Sequence, residues 1–257
     1  MCPRGGQQLG GSGGPFAEAT LVSHCLLVEA GDGLALIDTG LGTADVAAPK
    51  RLGQPFRALI RPRCRDSETA VRQIEQMKLD PQDVRHIALT HLDVDHAGGL
   101  GDFPRAQVHV FAPELAAARK PALRERRRYV TVQWDHGPKW AEHELEGDSW
   151  FGFDSVRLLP DLDIEIAMVP LMGHSTGHAG IAVNTGQGWL FHCGDAYFHH
   201  EEVATPPSCP PGLRLFQNVV AHDREQRRNN QERLRELARE HRGDVQLICS
   251  HDPVYMS

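Results

Sequence analysis

The chain of 257 residues can bury a large core without disulfides, and its shares of hydrophobic (40%) and charged (24%) residues are those of an ordinary globular protein. A net charge of −7 argues against nucleic acid as the main partner, and no apolar run approaches the roughly 18 residues of a membrane span. The six cysteines lack regular spacing and residues 1–15 lack the apolar core of a signal peptide. We therefore expect free thiols, a cytoplasmic location, a flexible tail at residues 1–15 and a single domain at 16–257.

The first half of the chain alternates strand and helix patterns. Apolar runs at 19–28 and 34–38, separated by Gly31, Asp32 and Gly33, predict a β-hairpin. Residues 67–77 have apolar positions on one helical face, and 84–90 is typical of a buried strand. Another strand is expected at 107–111.

The second half begins with an interruption at about 112–153, which combines a basic run at Arg124–Arg128 with several aromatic residues. We interpret this insertion as a packed satellite core or as a substrate lid, and the basic run as a solvated helix face or an anion-attracting rim. Strands are expected at 164–169, 180–183, 189–192 and 245–249, and an amphipathic helix at 223–241. The class is therefore α/β or α+β with mixed sheets.

Four metal-ligand side chains follow the predicted strand at 84–90. His91, Asp93 and Asp95 stand two residues apart, so an extended or tightly turned backbone can bring them to one side. His96 is adjacent to Asp95 and must diverge from it, which suits two metal ions better than one. So compact a set of imidazoles and carboxylates predicts a metal centre.

Three later residues extend this set, each near the end of a predicted strand. They are His174 in Gly-His-Ser-Thr-Gly-His, Asp195 in Gly-Asp-Ala, and His251 in Ser-His-Asp. Because loops at strand ends carry function over a rigid scaffold, we expect these residues to join the first four. His178 is expected to brace its loop by hydrogen bonding.

The ordered motifs, together with Leu36-Ile37-Asp38-Thr39-Gly40, resemble those of the metallo-β-lactamase superfamily over about residues 26–252. The likeness is greatest to its lactonase and glyoxalase-II-like branch. It implies an αββα four-layer sandwich of two mixed sheets flanked by helices, an α+β fold. Carried over by residue, it assigns His91, Asp93 and His174 to one metal site. It assigns Asp95, His96 and His251 to a second site, Asp195 as the bridge, and Asp38 as a support that orients the loop.

Asp93 departs from the family pattern, which has histidine at this place. A carboxylate there resembles the variant motif of flavodiiron proteins and favours Fe or Mn somewhat over Zn by ligand type. We therefore expect two divalent ions, Zn first, with Fe or Mn as alternatives.

The resemblance implies a hydrolase in which a metal-bound hydroxide attacks a lactone, ester or thioester carbonyl. Asp95 is expected to align the nucleophile and move a proton, and Tyr197 to donate to the oxyanion or leaving group. The compared lactonases have their tyrosine one residue further along. A diiron oxidoreductase or oxygenase and a non-catalytic metal-binding protein stay as alternatives. The expected partner is a small-molecule substrate, not nucleic acid or a membrane, and a homodimer is left open.

Overall fold

The computed structural model describes residues 1–31, 33–144, 146–154, 156–158 and 164–256. The first of its two five-stranded sheets has the order β1-β2-β3-β4-β5. These strands are Leu26–Ala30, Gly33–Ile37, Val84–Ala88, Gln107–Phe111 and Lys139–His143. β1 and β2 form the predicted antiparallel hairpin, and the later neighbours pair in parallel. Asp32, predicted in the hairpin turn, lies outside the described residues.

Strands β6 and β7, Ser149–Trp150 and Phe153–Asp154, form a small separate hairpin. The second large sheet has the order β12-β11-β10-β9-β8. Its strands in chain order are Val156–Leu158, Ile166–Pro170, Ala179–Asn184, Trp189–His192 and Val245–Ile248. β9, β11 and β12 run in the same direction, so their carboxyl ends lie at one edge.

The structure describes six helices. They are α1 to α6, Thr43–Ala47, Gln54–Ile60, Ala70–Gln76, Ala112–Arg119, Pro211–Val220 and Arg224–Glu240. α6 matches the helix expected at 223–241; Asp223 caps it, and its Leu234 and Leu237 face the second sheet. Val71 and Leu115, on α3 and α4, pack on the first sheet. A third cluster, including Ile37 and Ile181, fills the space between the sheets, which gives the expected αββα sandwich.

Residues 1–15, expected to be a flexible tail, are packed against the domain. The Met1 amino group donates to the Leu21 carbonyl at 2.7 Å, and Cys2 is buried. The backbone of Arg4 pairs with that of Glu18 in an isolated antiparallel β-bridge. These contacts tie part of the segment to the domain, and a polar, glycine-rich composition does not reveal backbone hydrogen bonds to a distant segment. In the described part of the chain no helix is both long and apolar enough to cross a membrane.

The segment 112–153 is not a single insertion. Its β5 completes the first sheet beside β4. Trp134 and Trp140 pack on the first outer core, whereas Trp150 belongs to the core beneath α6. Because these aromatic side chains are divided between two cores, the packed alternative describes them better than a common lid.

Candidate metal centre

The seven predicted ligand residues meet where the strands end. The motif at 91–96 follows β3 of the first sheet, while His174, Asp195 and His251 follow β9, β11 and β12 of the second. Asp195 lies at the centre. Its Oδ2 is 3.4 Å from His174 Nε2 and 3.8 Å from His91 Nε2, and its Oδ1 is 3.4 Å from His96 Nε2 and 3.0 Å from His251 Nε2. His251 Nε2 is also 3.1 Å from Oδ2. One carboxylate therefore lies among four imidazoles, as a bridging ligand would.

Hydrogen bonds at the outer nitrogens fix three of these rings. His96 Nδ1–H donates to Asp38 Oδ2 at 2.8 Å, and His251 Nδ1–H donates to the Val22 carbonyl at 2.6 Å. The Thr90 hydroxyl donates to Asp38 and can therefore accept from His91 Nδ1–H, at 2.9 Å. A neutral ring that donates from Nδ1 carries its lone pair on Nε2. All three Nε2 lone pairs thus point inward, as metal ligation requires.

The inner atoms lack the partners that buried polar atoms normally have. Among the described residues, His91 Nε2, His96 Nε2 and Asp195 Oδ1 are buried without a hydrogen-bond partner. Lone pairs and carboxylate oxygens that converge without donors between them fit divalent cations.

The ring nitrogens and carboxylate oxygens form two groups. One holds His91, His174 and Asp195, and the other holds Asp95, His96 and His251; within each group the ligand atoms lie within 4.8 Å of one another. These groups match the two sites implied by the resemblance except at Asp93, which is outside the first group.

Asp38 orients the motif as predicted. It accepts from the Thr90 amide at 2.8 Å, the Thr90 hydroxyl at 2.7 Å and His96 Nδ1. Its φ of 54° turns the chain at the end of β2 and directs the carboxylate under the loop. The role of Asp38 as a support is confirmed.

His178 is the brace that the sequence suggested, and it also fixes Asp195. Its Nε2 accepts from the Asp195 amide at 2.9 Å, so its Nδ1–H donates to the Leu171 carbonyl at 3.0 Å. Burial, with the neighbouring His91 and His174, holds the pKa of His178 well below its usual value, which agrees with this neutral ring.

Glu114 is a supporting residue that the sequence analysis missed. It is fully buried at the start of α4. One oxygen accepts from the Leu92 amide at 3.0 Å, and the other accepts from the Ser175 hydroxyl and the Gly177 amide at 2.8 Å each. Glu114 therefore joins the 91–96 loop to the His174 loop, and no spacing motif marks it.

Asp93 reaches the centre but is held by a cation from the basic run. Its Oδ2 lies 3.1 Å from His174 Nε2 and 3.6 Å from His91 Nε2. Arg128 Nη1 donates to both of its oxygens, at 3.0 and 2.9 Å. Arg128 is thus neither on a solvated helix face nor on an open rim, which corrects both interpretations at this position.

Tyr197 lies in a different environment from the one expected of a proton donor. It is fully buried in the core beneath α6, and its hydroxyl lies 3.5 Å from the hydroxyl of Tyr255. The next position along the chain holds Phe198. The ring centroid of Phe198 lies 4.7 Å from that of His251 and 6.2 Å from that of His174. The structure therefore assigns Tyr197 to packing and places the hydroxyl-free Phe198 against the ligand rings.

Comparisons with known proteins agree with this geometry. A sequence model described as the metallo-beta-lactamase superfamily matches residues 20–245. The chain is 46% identical over 234 residues to the probable metallo-hydrolase Rv2300c of Mycobacterium tuberculosis, a match that covers 91% of this chain and 75% of that protein.

More distant similarities lie among lactonases. The N-acyl homoserine lactonase AttM of Azorhizobium caulinodans is 26% identical over 197 residues, which cover 75% of this chain and 67% of that protein. The structure of a mutant AiiA from B. thuringiensis, with N-decanoyl-L-homoserine bound at its active site, aligns with a TM-score of 0.72 at 20% identity. That alignment covers 99% of this chain and 91% of the other, and it shows a shared fold.

Proposed function

The chain belongs to the metallo-β-lactamase superfamily of metallo-hydrolases, and from that premise we propose that it hydrolyses an ester-type carbonyl bond, with lactones first among its substrates. The observation that carries the proposal is the position of Asp195 among four imidazoles. The preference for lactones is supported by the similarity to AttM, which covers most of this chain.

Two divalent ions, zinc first, are the proposed cofactors. His91, His174 and Asp195 would hold one, and Asp95, His96 and His251 the other. Ions in such sites activate water near neutral pH and polarise a carbonyl oxygen. The imidazole-rich donor set of both groups suits zinc.

Asp95 is the candidate proton carrier. Its side chain is 11% exposed, and its Oδ2 accepts from the Ser23 hydroxyl at 3.3 Å. A carboxylate with a single neutral donor can take a proton from a water and return it to the departing alkoxide oxygen of a lactone. Phe198 covers the rings of His174 and His251 and so limits the access of bulk water to them.

The diiron alternative depended on Asp93 as a free carboxylate ligand. Because Arg128 donates to both oxygens of Asp93, that argument loses weight. The hydrolytic proposal does not depend on Asp93.

The test is a substrate panel with zinc-loaded, chelator-stripped and manganese-loaded protein. The panel contains N-acyl homoserine lactones of several chain lengths, simple γ- and δ-lactones, aryl esters, acyl thioesters and a phosphodiester. We expect metal-dependent turnover of lactones above that of the other classes. Turnover of thioesters alone would assign the thioesterase alternative, and absence of turnover of any carbonyl substrate by metal-loaded protein would reject the proposal.

Two variants make this test specific. Asp95→Asn is expected to lower kcat by about 100-fold or more, in line with loss of a general acid–base, while the protein still binds metal. Tyr197→Phe is expected to keep kcat within about 2-fold, because its hydroxyl contacts Tyr255 in the core. Equal activity of Asp95→Asn and the parent protein would contradict the role given to Asp95.

A further inference from the structure

Arg128 is built into the metal centre without being one of its ligands. Its guanidinium is 10% exposed and donates through Nη1 to both oxygens of Asp93. Its Nη2 donates to the Val220 carbonyl at the end of α5. The cation is therefore fixed at two partly buried points.

The segment that carries Arg128 is attached to the loop that carries His174. Arg124 donates to the Ala221 carbonyl, and Glu125 lies 2.6 Å from His222 Nδ1. The His222 amide in turn donates to the His174 carbonyl at 2.9 Å. Arg128 thus has a defined position relative to the first group of ligands, and this position is set by the fold and not by a flexible side chain.

The two groups of ligands differ in what holds their carboxylates. Asp95, a member of the second group, accepts from the neutral Ser23 hydroxyl. Asp93, beside the first group, faces a permanent cation, and a metal ion at that site would share the carboxylate with Arg128 and be repelled by it.

Resting on the proposed metal sites, we infer that Arg128 is a positioning residue that restrains Asp93 and makes the site of His91, His174 and Asp195 the weaker of two unequal metal sites. The protein then holds one ion tightly through Asp95, His96 and His251. The second ion is exchangeable, and the Asp93–Arg128 pair sets its affinity.

The test measures zinc binding without substrate, so its outcome is independent of whether lactones are turned over. Chelator-stripped protein is titrated with zinc against a chromophoric chelator, and metal content is counted after dialysis. The parent protein should show a tight and a weak step, and His174→Gln should remove the weak one.

Removal of the cation should tighten the weak step. Arg128→Gln is expected to lower the dissociation constant of the weak step about 10-fold or more, within the range known for residues that support metal ligands. Arg128→Met, which keeps the apolar part of the side chain, is expected to do the same. Arg128→Lys keeps the charge and should stay within about 2-fold of the parent protein. Arg127→Gln is the matched control, because it removes an exposed cation of the same basic run that makes no contact to Asp93.

A double-mutant cycle decides whether Arg128 acts by restraining Asp93 or only by supporting the fold around the site. Asp93→Asn should raise the dissociation constant of the weak step much more in the Arg128→Gln background than in the parent protein. The reason is that Asp93 is free to bind the ion only when the Arg128 cation is gone. The tight step should be unchanged in every variant, which also reports correct folding. Two results would overturn the inference. One is a dissociation constant of the weak step that Arg128→Gln and Arg128→Met leave unchanged or raise. The other is two equal steps in the parent protein.

Discussion

At the scale of single residues, the candidate centre depends on where each histidine keeps its proton. The Nδ1–H groups of His96 and His251 are used by oxygen acceptors, so their Nε2 lone pairs face Asp195. Asp38 is the acceptor with the largest share in this arrangement, since it receives three hydrogen bonds, two from Thr90 and one from His96.

Asp38→Asn should therefore weaken metal binding without removing a ligand. Asp38 Oδ1 accepts from the Thr90 amide, and Oδ2 accepts from the Thr90 hydroxyl and His96 Nδ1. An asparagine has one oxygen and no charge, so its NH₂ group must face one of these two sets of donors, and the charge-assisted hydrogen bond that orients the His96 ring is lost. We expect zinc affinity at the site of Asp95, His96 and His251 to fall about 10- to 100-fold in chelator competition. Asp66→Asn, on the surface, is the control, and equal affinities in both variants would contradict this role of Asp38.

The ligands themselves could be predicted from the sequence, but several residues that hold them could not. His91, Asp95 and His96 stand in a dense local motif, and the structure brings them together with His174, Asp195 and His251. Arg128 and Glu114 act from parts of the chain with no motif of their own, and their partners are 35 and 22 residues away. Tyr197 and Phe198 are adjacent, and only the course of the chain after β11 decides which of them faces the ligand rings.

At the scale of elements, the centre spans two sheets and needs connections between them. Glu114 on α4 provides one, because it accepts hydrogen bonds from the loop after β3 and from the loop after β9. Each of these donors is buried, so a lost acceptor is not replaced by water.

Glu114→Gln should lower the free energy of unfolding by roughly 1.5–3 kcal/mol, the usual loss for a buried hydrogen bond to a charged acceptor. The amide nitrogen of glutamine must face at least one of the three donors. Urea unfolding of metal-free protein measures the change, and Glu142→Gln, at an exposed ion pair with Arg119, should shift it by no more than about 0.5 kcal/mol. An unchanged Glu114→Gln midpoint would show that the two loops are joined in another way.

A row of three histidines crosses β3, β4 and β5. His86 Nδ1 lies 3.1 Å from His109 Nε2, and His109 Nδ1 lies 2.9 Å from His143 Nε2. Burial first, and then the neighbouring His143 and His86, lower the pKa of His109 to about 3. Below the unfolded pKa of 6.5 the unfolded chain takes up a proton that folded His109 does not, so stability should fall as the pH drops from about 6.5 toward 3.

His109→Phe should make the stability of the metal-free protein less dependent on pH in this window. The melting temperature of each protein is measured between pH 7 and pH 4, and the variant is expected to lose fewer degrees than the parent. An exposed substitution, His136→Phe, should leave the slope unchanged. Parallel curves for His109→Phe and the parent protein would show that His109 takes up its proton equally in both states.

At the scale of the whole molecule, the fold class followed from the motifs, whereas the borders of the domain did not. The ordered motifs resembled those of the metallo-β-lactamase superfamily, and that resemblance implied the αββα sandwich, which the structure has. Residues 1–15 and 112–153 were set apart on composition alone. They are integrated through Met1 at Leu21 and through β5 beside β4, contacts between distant segments that composition does not encode.

Anomalous X-ray scattering from crystals of zinc-loaded protein tests the central claim most directly. The account predicts two peaks, one on each side of the Asp195 carboxylate. The stronger should lie among Asp95, His96 and His251, and the weaker beside His91 and His174. A peak elsewhere with none at Asp195, or a single ion that leaves His96 and His251 unligated, would contradict the account.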